Sequence, residues 1–257
     1  MQAWKFEAKK RLRTKFVTIA ALILLLIICL SALYVFTKYQ ATGIVAESRD
    51  ILFQASSFQS FAPGEYAGYL TFSELAKHGD FGIGTVNGLD GEMIALNGKF
   101  YQIPFDGNPK QISPSTLTPY ATVTFFDVDQ TFHVNEVTYT QLAEYINQSL
   151  PSTDAIYAIK VTGNFDYAKT RSVPNQTQPY PELTEVIAHQ SIFNLTDVSA
   201  TAAGFYFPDS MNGVDAVGYH LHLLTFDLLA GGHLLDCTIK DATVEIDYIH
   251  KFTLILP

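Results

Sequence analysis

Cysteine is scarce, with two in 257 residues. Cys29 lies in an apolar run and Cys237 in the strand-like segment Leu234 to Ile239. Such positions do not suit a pair, so no disulfide framework and no paired CxxC motif organises the chain. Positive charge is scarce too, once the first sixteen residues are set aside. These hold six of the sixteen Lys and Arg and a single acid, Glu7, leaving ten bases against twenty-four acids. So acidic a body argues against a nucleic-acid partner, because phosphate binding needs a basic face. A Gly-rich phosphate loop, a Gly-x-Ser-x-Gly elbow and an internal repeat are all missing, which argues against nucleotide-binding, hydrolase and repeat architectures. What is present is apolar surface: 48% of residues are hydrophobic and 13% aromatic. That composition excludes a disordered chain, and the length suits one large domain or two modest ones with a real core.

The basic start, Lys5 to Lys15, leads into an apolar run from Phe16 to Phe36 that carries no charge. At ~1.5 Å per residue a helix of this length reaches roughly 31 Å, enough to cross a bilayer core. Residues 1–15 then read as a cytoplasmic N-terminus and 16–36 as a single N-terminal transmembrane helix. A cleaved signal peptide is the alternative, although its apolar stretch is usually shorter and ends in small residues. Residues 37–50 read as a linker. Because positive charge stays cytoplasmic, the body from 51 to 257 is expected outside the membrane, either anchored or secreted.

Within the body, Thr71 and Glu74 form a capping box opening a short helix that should stop at Gly79. Gly82 to Val86 reads as a strand. Asn97-Gly98 between Met93–Leu96 and Lys99–Ile103 is a hairpin signal, since a type I′ turn needs positive φ twice. Residues 120–134 read as a further strand, its Tyr120, Phe125, Phe126 and Phe132 as core. Thr138 and Gln141 form a second capping box, opening a helix that ends near Pro151 with Leu142, Tyr145 and Ile146 on one face. A strand over Ala155–Phe165 follows, and after it a proline-punctuated loop carrying Arg171. Pro181 suits the first turn of a helix reaching about His189. Strands then dominate over 199–207, 216–226, 233–239 and 242–256. The pattern predicts an α+β body, dividing into two sheet-bearing halves near 150.

The chemistry-bearing pattern is His220-Leu221-His222 on an apolar strand. Alternation sends both imidazoles to one face, roughly 6.5–7 Å apart along the chain. Two nitrogens at that spacing can converge on one ion at about 2.0–2.1 Å each. Gly231-Gly232 allows a tight return that brings His233 back to the pair. Three neutral imidazoles with an open position make a catalytic rather than a structural zinc site. A solvated strand face fits the same spacing, and a cupin-like oxygenase also places His-x-His on a strand, though Leu223 to Phe226 lacks the Glu that usually follows. Glu92, at the mouth of the hairpin, can present a carboxylate or be a plain surface acid. Arg171 can clamp a substrate carboxylate bidentately or be a solvated loop residue.

Five blocks, taken together, resemble the alpha-acetolactate decarboxylase family. They are Leu75-Ala-Lys-His-Gly-Asp-Phe-Gly-Ile-Gly-Thr85, Asn87-Gly-Leu-Asp-Gly-Glu-Met-Ile94, Gly98-Lys-Phe-Tyr-Gln-Ile103, Lys169-Thr-Arg-Ser-Val-Pro174 with Pro179-Tyr-Pro181, and Gly213-Val-Asp through His222 to Ala230-Gly-Gly-His233. They follow in family order across about residues 52–257. The resemblance implies a two-part α/β body with mixed β-sheets, and Zn²⁺ (or another divalent metal) on His220, His222 and His233. It implies catalytic roles for Glu92 and Arg171 and needs no organic cofactor. The expected reaction decarboxylates 2-acetolactate, a 2-hydroxy-3-keto acid, to acetoin and CO₂. The metal would chelate the hydroxyl and ketone oxygens and stabilise the enediolate. A homodimer is left open. Members of the family usually run past the last strand into a tail bearing an acid near the metal, whereas this chain stops at Pro257. A catalytically weak or inactive metal-binding relative is therefore the alternative expectation.

Overall fold

The computed structural model describes residues 25–31 and 49–257. It divides into two units, Met1–Ser48 and Arg49–Pro257. In the first, residues 25–31 are helical and exposed. The rest of the expected transmembrane run and of the linker, up to residue 48, lies outside the described residues. Among the described residues no helix is long and apolar enough to cross a membrane.

The second unit is mostly sheet. Its strands are β1 (Ile51–Ala55), β2 (Leu70–Thr71), β3 (Phe81–Gly84), β4 (Glu92–Leu96), β5 (Lys99–Ile103), β6 (Lys110–Gln111), β7 (Leu117–Thr118), β8 (Ala121–Thr124), β9 (Gln130–Thr138), β10 (Ile156–Ser172), β11 (Ser191–Phe207), β12 (Gly218–Thr225), β13 (Gly231–Ile249) and β14 (Lys251–Ile255). The helices are few and short: α1 (Phe58–Phe61), α2 (Phe72–Leu75), α3 (Tyr139–Ser149) and α4 (Leu183–Ala188). Seven strands form one sheet in the order β14-β1-β8-β3-β4-β5-β6. It is mixed, because β1 pairs parallel with β14 and antiparallel with β8. The second sheet, β10-β11-β12-β13-β9, is antiparallel throughout, and β10 also pairs with β13. That extra pairing closes β10, β11, β12 and β13 into a ring. Phe205, Phe207 and Leu224 of the ring pack against Phe81, Ile83, Ile94 and Ile103 of the first sheet and hold the two together.

Local signals explain the short elements. Asn97 and Gly98 take φ of 51° and 74°, as the hairpin requires. At Thr138 both halves of the capping box form. At Thr71 only half does: its hydroxyl accepts from Glu74 N, while the Glu74 carboxylate turns to Lys77. Tyr145 lies half exposed, off the buried stripe of Leu142 and Ile146.

Four expectations need correction. Residues 120–134 are two strands in different sheets, because the polar Asp127 and Asp129 carry the crossing. Asp127 accepts from Arg49 Nε at 2.7 Å, and Asp129 accepts from Tyr248 N at 2.7 Å. The chain thus changes sheet at 125–129 rather than near 150. The break expected between the strands 233–239 and 242–256 is absent: Lys240-Asp241 lies inside β13, where Asp241 accepts from Asn164 Nδ2 on the neighbouring strand at 3.2 Å. Helix α4 begins at Leu183 with Glu182 as its N-cap, two residues beyond Pro181. Most consequential for the site, β10 runs on to Ser172 and takes Arg171 out of the expected loop into a strand.

Candidate metal centre and active site

Strand register assembles the site. In β12 and β13 His222 stands opposite His233, and in β13 and β10 His233 stands opposite Arg171. One row of the ring therefore carries His222, His233 and Arg171 side by side, with His220 two residues along β12 from His222. Cross-strand neighbours sit about 4.5–5.5 Å apart at Cβ, close enough for their side chains to converge. The three imidazole centroids lie 5.0–5.3 Å from one another. Each ring offers a nitrogen within 4.8 Å of the other two. Glycine makes this approach feasible. A Cβ at Gly231 would meet the Leu223 carbonyl oxygen at 2.5 Å, and one at Gly232, where φ is +130°, would meet that of Arg171 at 2.4 Å. Only a strand bare at both positions can pass so close to both neighbours.

The first sheet supplies the opposing groups. Glu92 opens β4, with Oε2 3.4 Å from His222 Nε2 and Oε1 3.9 Å from Arg171 Nε. The next residue orients the histidine: His222 Nδ1 donates to the Met93 carbonyl at 2.7 Å. With its proton on Nδ1, His222 presents the lone pair of Nε2. Arg171 Nη1 donates to Gln190 Oε1 at 3.3 Å. The cavity before these groups measures about 270 Å³ and is walled by Phe58, Phe61, Tyr120, Val173, Leu183 and Ile187.

Burial sets the protonation. It pushes the imidazoles of His222 and His233 well below their ordinary range, and the neighbouring His220 ring and Arg171 push the same way. Both stay neutral near pH 7 with lone pairs available, as a metal requires. Burial also raises Glu92, against the opposing pull of Arg171 and then His220. Arg171 Nε, His220 Nδ1 and His222 Nε2 are buried with no hydrogen-bond partner. A buried polar group left unpaired costs about 1–3 kcal/mol, so Arg171 Nε and His222 Nε2 beside one cavity call for a ligand. Three imidazole nitrogens with an open side fit a borderline divalent ion held for catalysis.

The five residues singled out from sequence, Glu92, Arg171, His220, His222 and His233, thus meet around one cavity. Sequence reasoning missed other residues. Tyr120, read as core, is buried and also lines the cavity; burial and the Asp215 carboxylate push its phenol well above the ordinary value. Asp215 itself, 2% exposed, stands 3.8 Å from His220. Its only signal was its place in the Gly213-Val-Asp block. The Met93 carbonyl had only its place in the Asn87 to Ile94 block and Gln190 carried no signal, since each acts through a contact distant in sequence.

A β-rich body in which three histidines could hold a metal, in a small cavity faced by a carboxylate and a guanidinium, has the equipment of an enzyme site. The chain belongs to the alpha-acetolactate decarboxylase family, whose model matches residues 52–257; these are carboxy-lyases that turn acetolactate into acetoin. It is 43% identical over 209 residues to the alpha-acetolactate decarboxylase of Methanosarcina mazei, covering 81% of this chain and 73% of that one. The enzyme of the same name from Methylococcus capsulatus is 42% identical over 207 residues, covering 80% of each. The crystal structure of the Bacillus subtilis enzyme superposes with a TM-score of 0.79 at 38% identity, over 80% of this chain and 89% of that one.

Proposed function

We propose that His220, His222 and His233 hold a divalent ion, zinc before others, and that Arg171 and Glu92 carry the decarboxylation of 2-acetolactate to acetoin and CO₂. The observation that carries this reading is the convergence of three imidazoles on one cavity beside Glu92, where Arg171 Nε and His222 Nε2 are buried without a hydrogen-bond partner. A bound ion supplies Lewis-acid polarisation of the substrate's hydroxyl and ketone oxygens. Arg171 aims an unpaired Nε into the cavity and holds the substrate carboxylate, a role a planar guanidinium suits. As CO₂ leaves, the electrons of the broken bond stay on the substrate and the vacated carbon takes up one proton. Glu92, within 4 Å of both Arg171 and His222, delivers that proton from one side and sets the handedness of acetoin. The apolar wall of Phe58, Phe61, Leu183 and Ile187 receives the methyl groups and keeps bulk water away. The full chain should release acetoin from racemic acetolactate, lose that activity to a chelator and regain it with Zn²⁺. Failure to form acetoin in the zinc-loaded protein would overturn the reading.

We also propose that the run 16–36 anchors the protein with its body outside the membrane. The support is its length, its lack of charge and the six bases before it. Protease added to intact cells should digest the body, and the chain should sediment with membranes after alkaline extraction; a protected body overturns the orientation.

A further inference from the structure

We infer that Asp215 is a positioning residue for His220: its carboxylate fixes the proton of that ring on Nδ1 and leaves Nε2 to the metal. The inference deepens the proposed function and rests on its metal reading. Asp215 lies in the loop before β12, outside the row of residues that faces the cavity, and is 2% exposed. Two bonds hold its carboxylate: Oδ2 accepts from the Thr122 hydroxyl of β8 at 3.1 Å, and Oδ1 accepts from Ala216 N at 2.6 Å. The same Oδ1 stands 3.8 Å from His220 Nδ1, a buried nitrogen with no other partner. A carboxylate fixed by two donors beside an unsatisfied ring nitrogen favours the tautomer that puts hydrogen between them.

His222 offers the parallel on the same strand. Its Nδ1 is addressed from the first sheet by the Met93 carbonyl, and its Nε2 has no hydrogen-bond partner. Both histidines of the pair thus have an acceptor of the first sheet, or one tied to it through Thr122, behind Nδ1. The two acceptors differ in kind. A carbonyl only orients, whereas a carboxylate also adds negative charge behind the ligand.

The test uses the full chain with zinc and with Co²⁺ as a spectroscopic substitute. Asp215→Asn keeps the shape but removes the charge, and should weaken zinc affinity about 10–100-fold and shift the Co²⁺ d–d bands. The melting temperature of the metal-free protein should barely change, which separates positioning from a structural role. Thr122→Val frees one carboxylate oxygen without touching the charge, and should weaken zinc in the same direction by a smaller factor. Soluble variants that bind zinc as tightly as the parent, with unchanged Co²⁺ spectra, overturn the assignment of Asp215. A parent protein that takes up no zinc at all overturns the metal reading beneath it.

Discussion

The histidine-lined cavity, about 270 Å³, and a second cavity of about 480 Å³ are both walled by aromatic rings and charged side chains. In the larger one Lys160 Nζ lies 2.9 Å from Glu245 and 4.5 Å from the Phe126 ring centroid. Thr162 and Thr201 stand opposite each other there with hydroxyls 3.5 Å apart. Its charges are matched within the protein. In the smaller cavity Arg171 Nε and His222 Nε2 are buried without a hydrogen-bond partner. Volume therefore does not distinguish a reactive site in this body. Unsatisfied donors and lone pairs do, because burial without a partner costs free energy that only a ligand can recover.

The sharpest way to break this contrast is His222→Ala. Two remaining imidazoles bind zinc weakly, so metal content by mass spectrometry and acetoin production should both fall, activity by at least about a hundredfold. Retained zinc and activity would remove the triad from the mechanism. Next comes Arg171→Lys, which keeps the charge but not the fork. It should lower kcat about 10–100-fold while zinc stays bound, measured by steady-state kinetics beside a metal assay. Equal loss of zinc would instead make Arg171 part of the metal scaffold.

A smaller effect, on stability, is expected near the crossing at 125–129. Asp247 is buried, with Oδ1 unpartnered and Oδ2 accepting from Asp127 N at 3.2 Å. Burial, then the nearby Asp129, Asp50 and Asp127 charges, raises its carboxyl to about 7 against the pull of that hydrogen bond. The folded state holds this proton and the unfolded chain releases it near 3.8, so the contribution is full below about pH 4 and is lost as pH rises to about 7. Asp247→Asn should flatten this slope and stabilise the protein at pH 8 by about 2 kcal/mol, read by thermal unfolding at pH 5 and 8. Identical slopes in the two proteins would assign the charge elsewhere. The smallest effect belongs to Lys160→Ala in the paired cavity: under about 1 kcal/mol in stability, with acetoin production unchanged. A large fall in activity there would erase the distinction between the cavities.

Much of this was legible in the residues. His220-Leu221-His222 sits on an apolar strand, where alternation leaves one geometry, and Gly231-Gly232 marks a close return because nothing larger fits. Asn97-Gly98 and Thr138 with Gln141 are local signals read within four residues. At 120–134 the polar break of Asp127 and Asp129 was read through as strand, whereas elsewhere polarity was taken for a break. Lys240-Asp241 interrupts an apolar pattern yet stays in β13, since Asp241 finds Asn164 across the sheet. Arg171 looked like a loop residue for the same reason.

Local chemistry, then, sufficed for the ligand types, the turns that bring them back and the blocks that mark the family. Tertiary structure alone set which groups stand behind them. Closure of the ring at β10 and β13 puts Arg171 beside His233, and the packing of the first sheet brings Glu92 and the Met93 carbonyl to the histidines. The physical reason is range: a strand's alternation is fixed by its own backbone. A hydrogen bond between residues 93 and 222 exists only once two sheets have packed and excluded water from between them.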